Sequence, residues 1–239
     1  MGVDATIADE HAWCADALAA GVTRPQWRVW QYREPEIVLG CSQRGLRDAV
    51  ARRAPPGVAV SVRASGGGAV LAGPWLLGVS VVLPPGHRLL GEDLVDSYRW
   101  LGELHASQLR EAGIDARALD PRQARASIHD DRAAVRWACF GGLSAWEVVD
   151  AEGRKLTGLA QQRRRTGVAF SAGTLVARSD WALLCDAVGE PADAALLAAR
   201  TAACADVRSA ARVGTEGWAH RIAAALDEVF GELPGELPG

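Results

Sequence analysis

Residues 75–83 read Trp-Leu-Leu-Gly-Val-Ser-Val-Val-Leu, with Gly73-Pro74 before them and Pro84-Pro85-Gly86 after. No other segment constrains the fold as much. The run is far too short to cross a bilayer. It lacks the alternation that leaves one side for water, so it suits a strand buried on both faces. Such a strand needs hydrogen-bonded neighbours at each edge and a layer over each face. Helical cover is available from residues 9–20, with Trp13 and Leu18 on one side and Gly21 as a stop. Residues 91–112 are the clearest helix, with Leu94, Tyr98, Leu101, His105 and Leu109 on one face and Gly113 closing it. His105 reads there as a half-buried packing residue.

The remaining pattern is mostly strand. Residues 27–32 and 36–40 flank an Arg-Glu-Pro turn; 58–62, 114–119 and 135–140 follow the same signals. A hairpin pairs 145–149 with 154–161 across Asp150-Ala151-Glu152-Gly153, and 167–176 is a further strand. Residues 43–53 suit a short helix, 120–132 a polar surface loop, and 181–187, 192–203 and 215–230 helices. No linker interrupts the series. The expectation is a single α+β domain over residues 1–230, a mixed or antiparallel sheet packed with helices. The tail, 231–239, repeats Glu-Leu-Pro-Gly and is expected to be disordered.

Charge and cysteine usage exclude several function classes. A net charge of −3 gives no basic surface for nucleic acid or a membrane. The first ten residues lack the basic and apolar regions of a signal peptide. Cys14, Cys41, Cys139, Cys185 and Cys204 are odd in number and widely spaced, which suits reduced thiols in the cytoplasm. None approaches CxxC spacing and the five histidines are scattered, so no metal site is expected.

Two stretches carry chemistry. Of 26 Lys plus Arg, Lys155 is the only lysine, within Gly153-Arg154-Lys155-Leu156-Thr157-Gly158-Leu159-Ala160-Gln161. A lysine is a compact point charge on a flexible stem, unlike a guanidinium. The other stretch is Arg63-Ala64-Ser65-Gly66-Gly67-Gly68-Ala69-Val70. Consecutive glycines let backbone N–H groups approach an anion. No Lys-Ser/Thr pair follows, so this is not a Walker A loop, and no helix follows, so it is not a dinucleotide fingerprint.

Four segments in order resemble one family: residues 30–43, Arg-Ala-Ser-Gly-Gly-Gly-Ala-Val at 63–70, the helix around Tyr98-Arg99-Trp100-Leu101, and Cys-Phe-Gly-Gly-Leu-Ser-Ala-Trp-Glu through Gln at 139–161. Together they are similar to the biotin/lipoate protein ligase superfamily, in its lipoate-protein ligase A and octanoyltransferase branch. The resemblance covers about the first 180 residues and implies that branch's catalytic-domain fold. It implies attachment of lipoate or octanoate to a lysine of an acceptor, such as a lipoyl domain or glycine-cleavage H protein. Arg63, Ser65, Gly66, Gly67, Gly68 and Ala69 would then cover the acyl group and its activated carboxyl. Lys155 would reach the carbonyl or phosphate, and Gly158, Ala160 and Gln161 would shape the pocket floor. Trp75 or Trp137 are candidate walls of an acyl channel.

The resemblance implies a ligase route through an acyl-adenylate, using ATP and Mg²⁺. The Cys139-Phe140 pair and the following Ser-x-Trp-Glu also resemble the octanoyltransferase segment whose cysteine forms an acyl thioester. There Lys155 would favour the thiolate. Where the family usually has His-Asp after the glycine loop, this chain has Leu71-Ala72-Gly73-Pro74; where it often has His-Gly on the last strand, this chain has Ser171-Ala172-Gly173. Ending near residue 230, it leaves no room for the accessory domain of longer ligases, which a partner subunit could supply. A third reading is a family member that binds acyl groups without chemistry. The Arg163-Arg164-Arg165 run reads as a solvated hairpin corner.

Overall fold

A computed structural model of the chain describes residues 3–130, 134–207 and 210–231. The apolar run becomes β6 (Leu76–Leu83), with all of its residues buried. It lies inside a seven-stranded sheet. The order is β1 (Val3–Ala5), β2 (Gln26–Tyr32), β6, β10 (Gly167–Leu175), β9 (Lys155–Arg164), β8 (Val148–Asp150), β7 (Ala116–Ala118). Only β1 and β2 pair in parallel; the other neighbours are antiparallel. The fold is α+β, with a mixed sheet packed with helices.

Each face of β6 has its cover. Helix α1 (Ile7–Ala20) lays Cys14 and Leu18 on Val82 of β6 and Ala169 of β10. Thr6 and Asp9 cap its start reciprocally, each side chain bonding the other's backbone N–H. On the opposite face, Leu101 and Leu109 of α3 (Arg99–Glu111) and Trp218 and Leu226 of α7 (Gly214–Phe230) pack on Val79, Val81 and Phe170. A second sheet, ordered β4 (Ala59–Val62), β3 (Glu36–Leu39), β5 (Val70–Ala72), stands beside the first. Helices α2 (Arg47–Arg53), α5 (Trp181–Val188) and α6 (Ala194–Arg200) pack behind it. Among the described residues no helix is long and apolar enough to cross a membrane.

Several segments depart from expectation, each for a local reason. The expected strand at 135–140 is a chain of tight turns, with Ala138 N bonding Val135 O and Gly141 N bonding Ala138 O. The expected loop at 120–132 contains α4 (Pro121–Asp130). Asp120 caps it through Arg122 N at 2.8 Å, and Pro121 takes the first helical position, where its missing N–H is not needed. Residues 131 and 132 of that loop lie outside the described residues, as do 232–239 of the expected tail. The helix expected from residue 91 starts at Arg99, because Asp93 Oδ1 accepts from both Val95 N and Asp96 N and holds a turn instead. The hairpin's first arm starts at Val148 because Trp146 sits at φ 68, outside the extended region.

Candidate active site

The two motifs meet through their backbones. Cys139 N donates to Ala69 O and Ala69 N donates to Trp137 O, both at 2.7 Å, so the glycine loop and the Cys139 turn are zipped together. Gln43 Nε2 fastens the same Trp137 carbonyl at 2.9 Å. Close approach dictates the glycines: a side chain on Gly40 would overlap the Gly67 carbonyl, and one on Gly68 would overlap Trp137 O. Gly67 also holds φ 95, a region that L side chains rarely adopt. Arg63 braces the loop from inside, its Nε and Nη2 donating to Gly66 O and its Nη2 to Gly68 O at 2.8 Å. Among the described residues no protein group accepts from the N–H of Gly66, Gly67 or Gly68.

Lys155 lies at the first position of β9 and is 1% exposed. A bulge turns it towards the loop: Val148 opposes Thr157 but Val149 opposes Lys155, leaving Leu156 without an opposite residue. Leu156 packs into the core on the α3 face. The Lys155 ammonium, with three protons, donates to Cys139 O at 2.7 Å, Gly142 O at 3.3 Å and Glu147 Oε1 at 2.6 Å. Glu147 also accepts from Ser144 N at 2.8 Å and Leu159 N at 3.3 Å. Burial pushes its carboxyl above its usual value, although Lys155 pulls the other way. The left-handed Trp146 next door, tied by its N–H to Leu119 O, aims Glu147 inward.

Two cavities meet at Arg63, Cys139 and Leu159. The larger, about 340 Å³, is bordered by the glycine loop, Arg136, Ser144, Glu147 and Lys155. The smaller, about 120 Å³, runs under α1 along Gly158, Ala160, Ser171 and Gly173 to Tyr32 and Glu10. A Cβ on Gly158 would lie 3.5 Å from both Cys139 Sγ and Lys155 Nζ. A thiol and an ammonium thus converge where a cavity bordered by Arg136, Glu147 and Lys155 opens into a narrow channel. The arrangement suits a ligand with a polar reacting end and a slim apolar tail.

The model of the lipoyl protein ligase A/B catalytic domain matches residues 9–211. The chain belongs to that family. Octanoyltransferase LipM of Exiguobacterium sp. strain AT1b is 31% identical over 172 residues, covering 70% of this chain and 58% of that protein. The chain therefore spans less than two thirds of the length of the curated relatives it matches. A solved lipoate-protein ligase A bound with ATP has a TM-score of 0.61 at 17% identity, covering 97% of this chain and 92% of the other. A Thermoplasma acidophilum lipoylation system, a bipartite lipoate protein ligase and its E2 lipoyl domain, gives the same TM-score and identity over 97% and 91%. At such identities these structures speak for the fold alone.

Within this ligase A/B domain the structure gathers Arg63, Ser65, Gly66, Gly67, Gly68, Gly158, Ala160, Cys139 and Lys155 around the two cavities. Ala69 is buried and contributes its backbone. Gln161 is elsewhere. Strand alternation carries it to the other face, where its Nε2 bonds Leu94 O at 3.1 Å, and Gln162 borders the channel instead. Neither Trp75 nor Trp137 borders either of these two cavities. Trp75 Nε1 bonds Leu71 O, and Trp137 Nε1 bonds Asp193. Sequence reasoning missed Glu147 as a partner of Lys155, because Glu147 precedes the hairpin arm and Val149 is the residue that opposes Lys155. It also missed the far end of the channel, which residues distant in sequence build together.

Proposed function

We propose that the chain is an acyltransferase that moves an octanoyl group from a thioester carrier to a lysine of an acceptor protein, through a thioester on Cys139. The observation that carries this reading is the placement of the Cys139 thiol beside Lys155, where the channel meets the larger cavity. The Cys139 thiolate attacks the carrier thioester. The carbonyl–sulfur bond to the carrier breaks, and the departing thiolate takes up the proton that Cys139 lost. The acceptor lysine then attacks the Cys139 thioester, an amide forms, and the amine proton returns to the Cys139 sulfur. The glycine-loop N–H groups are available to the oxyanion of each step, and a fixed donor in a dry site is worth more than one in water. The names of the relatives support the same choice.

A second reading is lipoate or octanoate ligation through an acyl-adenylate. What favours it is that the loop, whose N–H groups have no protein acceptor among the described residues, borders the larger cavity together with Arg136, a place for phosphate oxygens. ATP with Mg²⁺ would supply the activation, and an accessory subunit could complete the site. A lipoyl domain or an H protein is the acceptor under either reading.

Intact mass spectrometry separates the two. An octanoyl adduct on Cys139 from octanoylated carrier, with transfer lost in Cys139→Ser, is the expected result. Acceptor modification from free octanoate or lipoate that needs ATP and persists in Cys139→Ser would replace it with the ligase reading.

A further inference from the structure

A row of three glycines crosses the sheet beneath α1. Gly158 of β9 stands directly opposite Gly173 of β10, which stands directly opposite Gly78 of β6. Opposed residues of antiparallel strands share a face, so the row puts no side chain of its own on the floor of the channel. The next row, Ala160, Ser171 and Ser80, is small as well. At one end of the glycine row lie Cys139 and Lys155, over Gly158. Midway, a Cβ on Gly173 would meet the Leu76 side chain first, at 3.3 Å. At the far end the Tyr32 hydroxyl lies over Gly78, so closely that a side chain there would overlap it.

Tyr32 is fixed in place. Its hydroxyl donates to Glu10 Oε2 and Ser80 Oγ donates to Glu10 Oε1, each at 2.6 Å, and all three residues are buried. Burial and the Glu10 carboxylate hold the phenol far above its usual pKa, so it stays a neutral donor. Neighbouring strands lie about 4.8 Å apart, so the two steps from Gly158 to Gly78 span about 10 Å. An extended chain advances about 1.2 Å per bond, so the seven carbon–carbon bonds of an octanoyl group span about 8–9 Å. Two more carbons would add about 2.4 Å and meet the tyrosine.

We infer that Tyr32, clamped by Glu10 and Ser80, is the end stop of the acyl channel and sets the transferred chain at eight carbons. The inference rests on the acyl-transfer reading and adds a specificity-determining residue to it.

The test loads the full chain with hexanoyl, octanoyl, decanoyl and dodecanoyl carrier thioesters in competition and reads the Cys139 adducts by intact mass. Calorimetric binding of the free fatty acids gives a readout that needs no turnover. Wild type is expected to prefer eight carbons over ten by tenfold or more. Tyr32→Ala is expected to raise the ten-to-eight ratio at least tenfold, and Tyr32→Phe to keep the eight-carbon optimum. Gly173→Val blocks the channel midway, is expected to move the optimum to six carbons or fewer, and decides alone if Tyr32→Ala fails to fold. Indifference of wild type to length, or an unchanged optimum in Tyr32→Ala and Gly173→Val, would overturn the end stop while leaving acyl transfer standing. Absence of both adducts and binding at every length would overturn the acyl-transfer reading and the end stop with it.

Discussion

The Lys155 ammonium and the Glu147 carboxylate are 2.6 Å apart, with side chains only 2% and 4% exposed. Two opposite charges so deeply buried are tolerable together and costly apart. Removing either alone, as Glu147→Ala or Lys155→Ala, is expected to cost about 3–5 kcal/mol by leaving an uncompensated charge. The double variant Lys155→Met/Glu147→Leu is expected to recover most of that loss and still show no transfer. Urea midpoints of the three variants, set beside their transfer rates, check both parts. Without that comparison a dead Lys155→Ala cannot tell lost chemistry from a loosened turn, because the same ammonium holds Cys139 O and Gly142 O.

Gly158→Ala introduces a methyl group 3.2 Å from Lys155 Cε and 3.5 Å from Cys139 Sγ. Its backbone is in an ordinary strand conformation, so the fold is expected to survive with a melting temperature near that of wild type. Displacing the thiol and the ammonium by a fraction of an ångström is expected to slow transfer by about 10–100-fold. Single-turnover loading of Cys139 measures the effect on the first step.

Arg63 forks onto two loop carbonyls, and its planar donor set makes that possible. Arg63→Lys keeps the charge but cannot make the fork, so it is expected to behave like Arg63→Ala. Both are expected to lose about 1 kcal/mol of stability or less, the side chain being partly exposed. Transfer is expected to fall by about tenfold or more as the loop N–H groups lose alignment. A Lys variant with wild-type transfer would show that charge, and not geometry, is what Arg63 supplies.

Burial pushes the His105 imidazole down from 6.5 to about 4, with Nδ1 bonded to Thr174 Oγ1 at 3.1 Å and Nε2 without a partner among the described residues. The unfolded chain therefore takes up a proton in mild acid that the folded chain refuses. Stability present above pH 6.5 is lost as the pH falls through this window towards 4, by about 3 kcal/mol in all. His105→Gln is expected to flatten that part of the curve. Urea midpoints from pH 7 to pH 4 test it, and equal slopes for both proteins would remove His105 as the cause.

The sequence by itself determined the pieces whose logic is local. An apolar run between proline-glycine breaks has only one comfortable conformation, and β6 is where it was expected. The apolar spacing of 99–111 and the hairpin glycine at Gly153 likewise specify their elements without reference to distant residues. The residue types of the site were legible for the same reason, since three glycines and a solitary lysine are unusual wherever they fall. Tertiary structure alone decided how they face one another. The period of two that should have turned Lys155 from Gly158 is broken by the bulge at Leu156, which depends on the register of β8 against β9. That same period, unbroken further on, sends Gln161 to the far side of the sheet. Residues 135–140 look like a strand, but among the described residues their one strand-like pairing is with Ala69, and they close into turns that present Cys139. Tyr32 comes over Gly78, and Glu10 reaches Tyr32, only because β2 pairs with β6 while α1 packs across it. A sequence states what each segment prefers; which groups come within a few ångströms depends on long-range register and packing, where one residue's shift exchanges the faces of a strand.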